Sequence, residues 1–271
     1  ARRMIASARM YSWAPSLSAA WHRLLEWVAA RASVPMTVMD ASDPTSLDEL
    51  WARPDLGCAF MCGYPWALVS DKPRLLAAPI PSPARYGGRP AYVTDFIVKA
   101  DGPHRTLADT FGGRIAYSTE HSHSGYNAPR FHLLRYRTPE RPTLYREVIG
   151  PFVRQRPCLD AVVDGRADVA AIDGYGFELL ARHAPDVAAR VRVVESTIPA
   201  PSPPLVASPG VDAATCERVT AALVAAHEAP EIRATLDDLL LSRFVRIAPA
   251  DFQVFLDRQH AAEAAGYPKL A

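Results

Sequence analysis

The chain has 271 residues, 49% hydrophobic and 22% charged, which is enough for one large domain or two smaller ones with separate cores. Thirty Lys and Arg against 29 Asp and Glu leave a net charge of +1, so no global field recruits nucleic acid or an anionic membrane. No apolar run approaches the ~20 residues of a helical membrane span, and no membrane insertion is expected.

The opening stretch ARRMIASARMYSW has arginines but no apolar core of a secretory signal. A processed exported chain and a cytoplasmic one are both open on this evidence. Cys58, Cys62, Cys158 and Cys216 are scattered, without zinc spacing, and read as buried thiols.

Met4–Trp13 reads as a first strand, stopped by Pro15. Leu17, Trp21, Leu24, Leu25 and Val28 recur at helical spacing in the segment that follows. Pro35–Met39 is a second short strand, and Ser46 with Glu49 has capping-box spacing for a short helix. Leu56–Gly63 is nearly all apolar, as a buried parallel strand would be, and Leu75–Ile80 follows as another.

Beyond the turn-rich Pro79–Pro90, Ala91–Lys99 is a longer strand and Thr106–Phe111 a short helix. Arg114–Ser118 is a strand, Thr119–Ser124 a polar loop, and a helix opens near Gly125. Val148–Val153 is strand-like, Pro157–Asp164 helical, and Ala167–Asp173 a buried strand ending in a carboxylate. Tyr175–His183 is helical, Val191–Ser196 and Leu205–Ala207 are strands, and Asp212–His227, Glu231–Leu241 and Pro249–Ala265 read as helices. Such alternation argues for an α/β fold, each lobe a mostly parallel sheet flanked by helices. Two proline-rich passages bracket the middle block, giving a discontinuous first lobe (1–94 and 200–271) and an inserted second lobe (95–199) joined by two crossing strands.

The stretch around Ser122–Gly125 carries the chemistry. Small, hydroxyl-bearing residues stand where a helix begins, so an anion can approach unpaired N–H groups while serines donate from the side. The competing reading is that Ser122 or Ser124 simply caps the helix. Ligands in open α/β sheets sit at the carboxyl ends of strands, which adds Tyr11, Trp13, Tyr64, Asp173 and Tyr175 as candidates. Asp173 is equally suited to capping the helix that opens at Gly174. Arg130 and Arg135, on the helix after the loop, read as solvent-exposed. His121 and His123, at i and i+2, could share a metal ion, but no other cluster completes such a site. No Ser-His-Asp order, P-loop or dinucleotide fingerprint names a reaction or a cofactor.

Cys62-Gly63-Tyr64-Pro65, Ser122-His123-Ser124-Gly125-Tyr126, Gly165-Arg166-Ala167-Asp168-Val169-Ala170-Ala171-Ile172-Asp173 and Pro203-Pro204-Leu205-Val206 occur in that order. In this the chain resembles the substrate-binding proteins of phosphate/phosphite/phosphonate ABC importers, in the type II periplasmic binding protein superfamily. The resemblance implies two α/β lobes closing on a small oxyanion, with no chemistry done to it. It implies Ser122, His123 and Ser124 as the anion cradle, Tyr64 as a cleft aromatic and Asp173 as a cleft carboxylate. An ABC permease, a periplasmic location and a monomer are implied as well. Two positions depart from the pattern: His123 replaces a hydroxyl residue, and Gln155 stands nearest to where phosphonate binders carry a histidine. An enzyme and a cytoplasmic sensor on the same fold are the alternatives.

Overall fold

The computed structural model describes residues 3–271. Ala1 and Arg2, assigned above to the first lobe, lie outside the described residues. The chain forms two compact units, one built from residues up to Ala91 with Pro201–Phe252, the other from Tyr92–Ala200 with Gln253–Ala271.

In the first unit the strands run Leu241–Val245, Arg74–Pro81, Leu205–Ala207, Leu56–Phe60, Met4–Ser7 and Met36–Val38 across one sheet. Met4–Ser7 pairs in parallel with both of its neighbours, as short apolar strands linked through helices do. The returning Leu205–Ala207 and Leu241–Val245 pair antiparallel, so the sheet is mixed rather than mostly parallel. The helix Pro15–Ala32 packs Leu17, Trp21, Leu24, Leu25 and Val28 inward, the stripe its spacing predicts. It stops where Ser33 adopts a left-handed conformation (φ 53°). Trp21, Phe60 and Tyr11 form an edge-to-face cluster, with Phe60 5.1 Å from each of the other two rings. The predicted capping box is formed: Ser46 accepts from the Glu49 N–H, and Glu49 from the Ser46 N–H.

The second unit has its own sheet, ordered Val191–Ser196, Thr94–Lys99, Val169–Asp173, Arg114–Ala116 and Glu147–Ile149. Arg114–Ala116 is parallel to both neighbours, while the two strands beyond Val169–Asp173 are antiparallel. Its core gathers Phe96, Val98, Ile115, Leu133, Val169, Tyr267 and Leu270.

Three sequence expectations change. Residues 253–271, placed above with the first lobe, belong to the second unit. Their apolar side chains fill its core, and Leu144 donates its N–H to the Ala271 carbonyl. The unit boundaries fall at 91/92 and 200/201 in place of 94/95 and 199/200. Leu241, placed at the end of a helix, instead opens a strand, Leu241–Val245, that no expectation covered: Leu240 turns left-handed (φ 50°), and Leu241 and Phe244 are buried while Ser242 and Arg243 stay exposed.

Candidate functional site

The best-organised polar cluster lies in the second unit, beyond the carboxyl ends of its central strands. Arg114–Ala116 ends there, the chain passes through Tyr117 and Ser118, and a single turn of π-helix forms over His123–Asn127, running into the helix Ala128–Leu133. The helix expected at Gly125 thus opens two residues earlier, in the rarer wide-turn geometry that recurs at functional positions.

Ser122 caps this turn, its Oγ accepting from the Gly125 N–H at 2.9 Å. The Ser122 and Ser124 hydroxyl oxygens lie 3.5 Å apart. Ser124 is held from two further directions. Its carbonyl accepts from Thr94 Oγ1 at 2.9 Å, and its Oγ contacts Gln155 Nε2 at 2.6 Å. The other end of the Gln155 amide, Oε1, accepts the Asp173 N–H. Gln155 therefore bridges the π-helical turn at Ser124 and the end of the Val169–Asp173 strand, which lie far apart in the sequence.

Gly125 completes the cluster by its lack of a side chain. A Cβ there would collide with Ser118 Oγ and stand 3.1 Å from Ser122 Oγ. Ser118 is 1% exposed, and its hydroxyl has no hydrogen-bond partner among the described residues. A buried hydroxyl without a partner is uncommon and calls for a reason. Three hydroxyls, from Ser118, Ser122 and Ser124, thus surround one glycine.

The other candidates divide. Asp173 caps the helix Gly174–His183, its Oδ1 accepting from the Gly176 N–H at 2.9 Å. Tyr175, beside it, is fully buried. His123 packs its ring 4.5 Å from the Phe255 ring and contacts Asn127 Nδ2 through Nδ1 at 3.1 Å. Burial, reinforced by the Arg258 guanidinium, holds this imidazole well below its usual range, so it is neutral. His121 is exposed while His123 is buried, and the two do not face a common ion. Among the described residues no group of three or more His, Cys, Asp or Glu could hold a metal.

Tyr11, Trp13 and Tyr64 belong to the first unit. Tyr11 is core, in edge-to-face contact with Phe60. Tyr64 is buried in the helix Gly63–Leu68. Trp13 donates Nε1 to the Met10 carbonyl and borders an open cavity of about 540 Å³ together with Arg9, Ser12, Ser18, His22 and Asp40.

Sequence reasoning missed Ser118, and named Gln155 only as the residue nearest to where phosphonate binders carry a histidine. Ser118 ends a strand-like segment, and nothing local distinguishes it from a pleat serine. Gln155 is aimed by tertiary contacts: the N–H groups of Phe152 and Val153 donate to the carbonyls of Tyr117 and Ser118, pinning the start of the helix Gln155–Val163 beside the cluster. Arg130, expected at the surface, is buried, donating to Asn127 Oδ1 at 2.9 Å and to the Pro268 carbonyl.

A family model described as the phosphonate ABC transporter periplasmic substrate-binding protein matches residues 12–252. Among solved structures, the chain is similar to a binding-protein component of an ABC phosphonate transporter from Pseudomonas aeruginosa. The TM-score is 0.80 at 16% identity, covering 98% of this chain and 88% of that one. It is similar to PhnD1 from Prochlorococcus marinus in complex with methylphosphonate, with TM-score 0.74, 11% identity, and 96% and 98% coverage. A Xanthomonas citri protein bound to ATP gives 0.62 at 19% identity, covering 97% and 98%. At these identities the likeness concerns the fold. No curated protein matches the chain.

Proposed function

Since the chain belongs to the phosphonate ABC transporter periplasmic substrate-binding family, and its role is solute binding, we propose that its solute is a small tetrahedral oxyanion of the phosphonate or phosphate kind. The observation that carries this reading is the convergence of the Ser118, Ser122 and Ser124 hydroxyls around Gly125. A tetrahedral anion offers several acceptor oxygens at short range, and charge-assisted bonds from hydroxyls to such oxygens are the strong ones. The first N–H groups of the turn that begins at His123 add donors from the backbone.

We read the role as capture without chemistry. Of the titratable groups singled out in the sequence, Asp173 is committed to its helix cap and His123 is neutral and packed against Phe255. Neither stands as an acid or base against the hydroxyls. Delivery to an ABC permease from the periplasm is the role that membership of the family supports.

Titration calorimetry at about pH 9 in phosphate-free buffer, where phosphate and an alkylphosphonate are both mainly dianionic, tests the reading. Methylphosphonate or inorganic phosphate binds the wild type, and Ser122→Ala with Ser124→Ala removes most of the affinity, each buried charge-assisted bond contributing ~1.5–3 kcal/mol. Binding of either anion that survives the double substitution unchanged would remove the hydroxyl cluster as the site.

A further inference from the structure

The hydrogen bonds around Gln155 say which protonation state of the anion the cluster accepts. The backbone N–H of Asp173 can only donate, so the Gln155 atom facing it is Oε1. The amide orientation is thereby fixed, and the atom facing Ser124 Oγ at 2.6 Å is Nε2, which can only donate. Ser124 Oγ is therefore an acceptor toward Gln155, and its own proton points elsewhere. Ser122 Oγ likewise accepts, from the Gly125 N–H. The 3.5 Å contact between these two hydroxyls can take up one proton at most. Ser118 Oγ, buried and without a partner among the described residues, holds a further proton in reserve. The Asp173 carboxylate, the acidic group at this strand end, accepts from the Gly176 N–H of its own helix.

We propose that Gln155 is a positioning residue that locks the cluster into a donor set, so that it binds the fully deprotonated, dianionic form of a tetrahedral oxyanion and rejects the monoprotonated form. A P–OH group must donate its proton. It would meet the Ser122 and Ser124 oxygens, each already accepting one hydrogen bond, and would compete with the Ser118 hydroxyl, which has a proton of its own to place. A dianion meets the hydroxyl protons with an acceptor on every oxygen. This inference rests on the oxyanion reading above and adds the charge state and the residue that sets it.

The test is the pH profile of binding by the full chain, measured calorimetrically between about pH 5.5 and 8.5, which brackets the second ionisation of a phosphonate. The probes are methylphosphonate and chloromethylphosphonate, the second of which gives up its last proton at lower pH. The wild type tightens about tenfold per pH unit below each ligand's second ionisation and levels off above it, and the two profiles are displaced by the difference between the ligands. Gln155→Glu keeps an acceptor for the Asp173 N–H but replaces the amide donor with a carboxylate oxygen, so the Ser124 proton turns toward that oxygen and away from the anion. It weakens dianion binding about ten- to hundredfold and abolishes the rise with pH.

A wild-type profile that is flat, that tightens toward acid, or that is the same for both ligands overturns the proposal while leaving the oxyanion reading standing. So does Gln155→Glu binding with wild-type affinity and slope. If neither phosphonate binds at any pH, both the proposal and the reading beneath it fall. The wild-type profiles decide the matter even if the substituted protein does not fold.

Discussion

The packing around Gly125 yields a prediction whose sign changes with its background. Replacing Gly125 with Ala places a Cβ against Ser118 Oγ and 3.4 Å from Ser118 Cβ. Gly125 does not have a positive φ, so the backbone itself tolerates alanine. Two effects then compete. Crowding in a filled site costs about 1–3 kcal/mol, and alanine in a helical turn returns about 1 kcal/mol over glycine. Crowding wins, leaving Gly125→Ala net destabilising by on the order of 1 kcal/mol. In a Ser118→Ala background the colliding oxygen is gone, leaving a methyl contact at 3.4 Å and the 3.1 Å approach to Ser122 Oγ, which a small shift of that hydroxyl relieves. The same Gly125→Ala step there becomes stabilising by up to about 1 kcal/mol. Urea unfolding of the four proteins forms a double-mutant cycle, with an expected coupling of about 1–3 kcal/mol. Equal effects of Gly125→Ala in the two backgrounds would refute the placement of the Ser118 hydroxyl, and with it the three-hydroxyl cluster.

Two other expectations concern stability. His123 is held below its usual pKa by burial and Arg258, so below about pH 6.5 the unfolded chain takes up a proton that the folded protein refuses. Acid therefore favours unfolding, with a slope from this group of up to about 1.4 kcal/mol per pH unit. His123→Gln flattens the loss of stability between about pH 7 and pH 5 in denaturant titrations, and an unchanged slope would mean that the ring is hydrated. Ser46→Ala removes one half of an exposed capping box and lowers stability by about 1 kcal/mol, leaving anion affinity untouched; a change in calorimetric affinity would tie that helix to the site.

Where side chains follow a local period, the sequence could be read directly. The stripe of the Pro15–Ala32 helix, the apolar Leu56–Phe60 strand and the Ser46–Glu49 cap are all local signals, and each forms where the spacing places it. The two-unit α/β architecture and the Ser122–Gly125 turn came from the resemblance as well as from pattern. What pattern could not carry is long-range. Leu241–Val245 has five residues and follows a helix without a glycine or proline between them, so its period was swamped by its neighbours. Gln155 meets Ser124 only because a pinned loop delivers it, and no spacing encodes that meeting. Arg130 looked exposed because arginines on short helices usually are, yet segment 253–271 folds back over it and supplies the Pro268 carbonyl. The assignment of that segment to the wrong lobe and the misreading of Arg130 are one error.

The return of residues 253–271 to the second unit also orders events in time. Asn127 Nδ2, one turn from the hydroxyl cluster, donates to the Phe255 carbonyl, and Tyr126 receives the Leu270 N–H on its hydroxyl. These partners lie far downstream, and nearly all of the first unit's remaining chain is made in between. As synthesis proceeds from the amino end, the unit carrying the cluster cannot finish its core until after the other unit has all its pieces. Closing such distant contacts is slow compared with local helix formation. A nascent or prematurely terminated chain can therefore present the first unit folded while the anion cluster is still unbuilt. The ability to bind then becomes a late event in the life of the polypeptide.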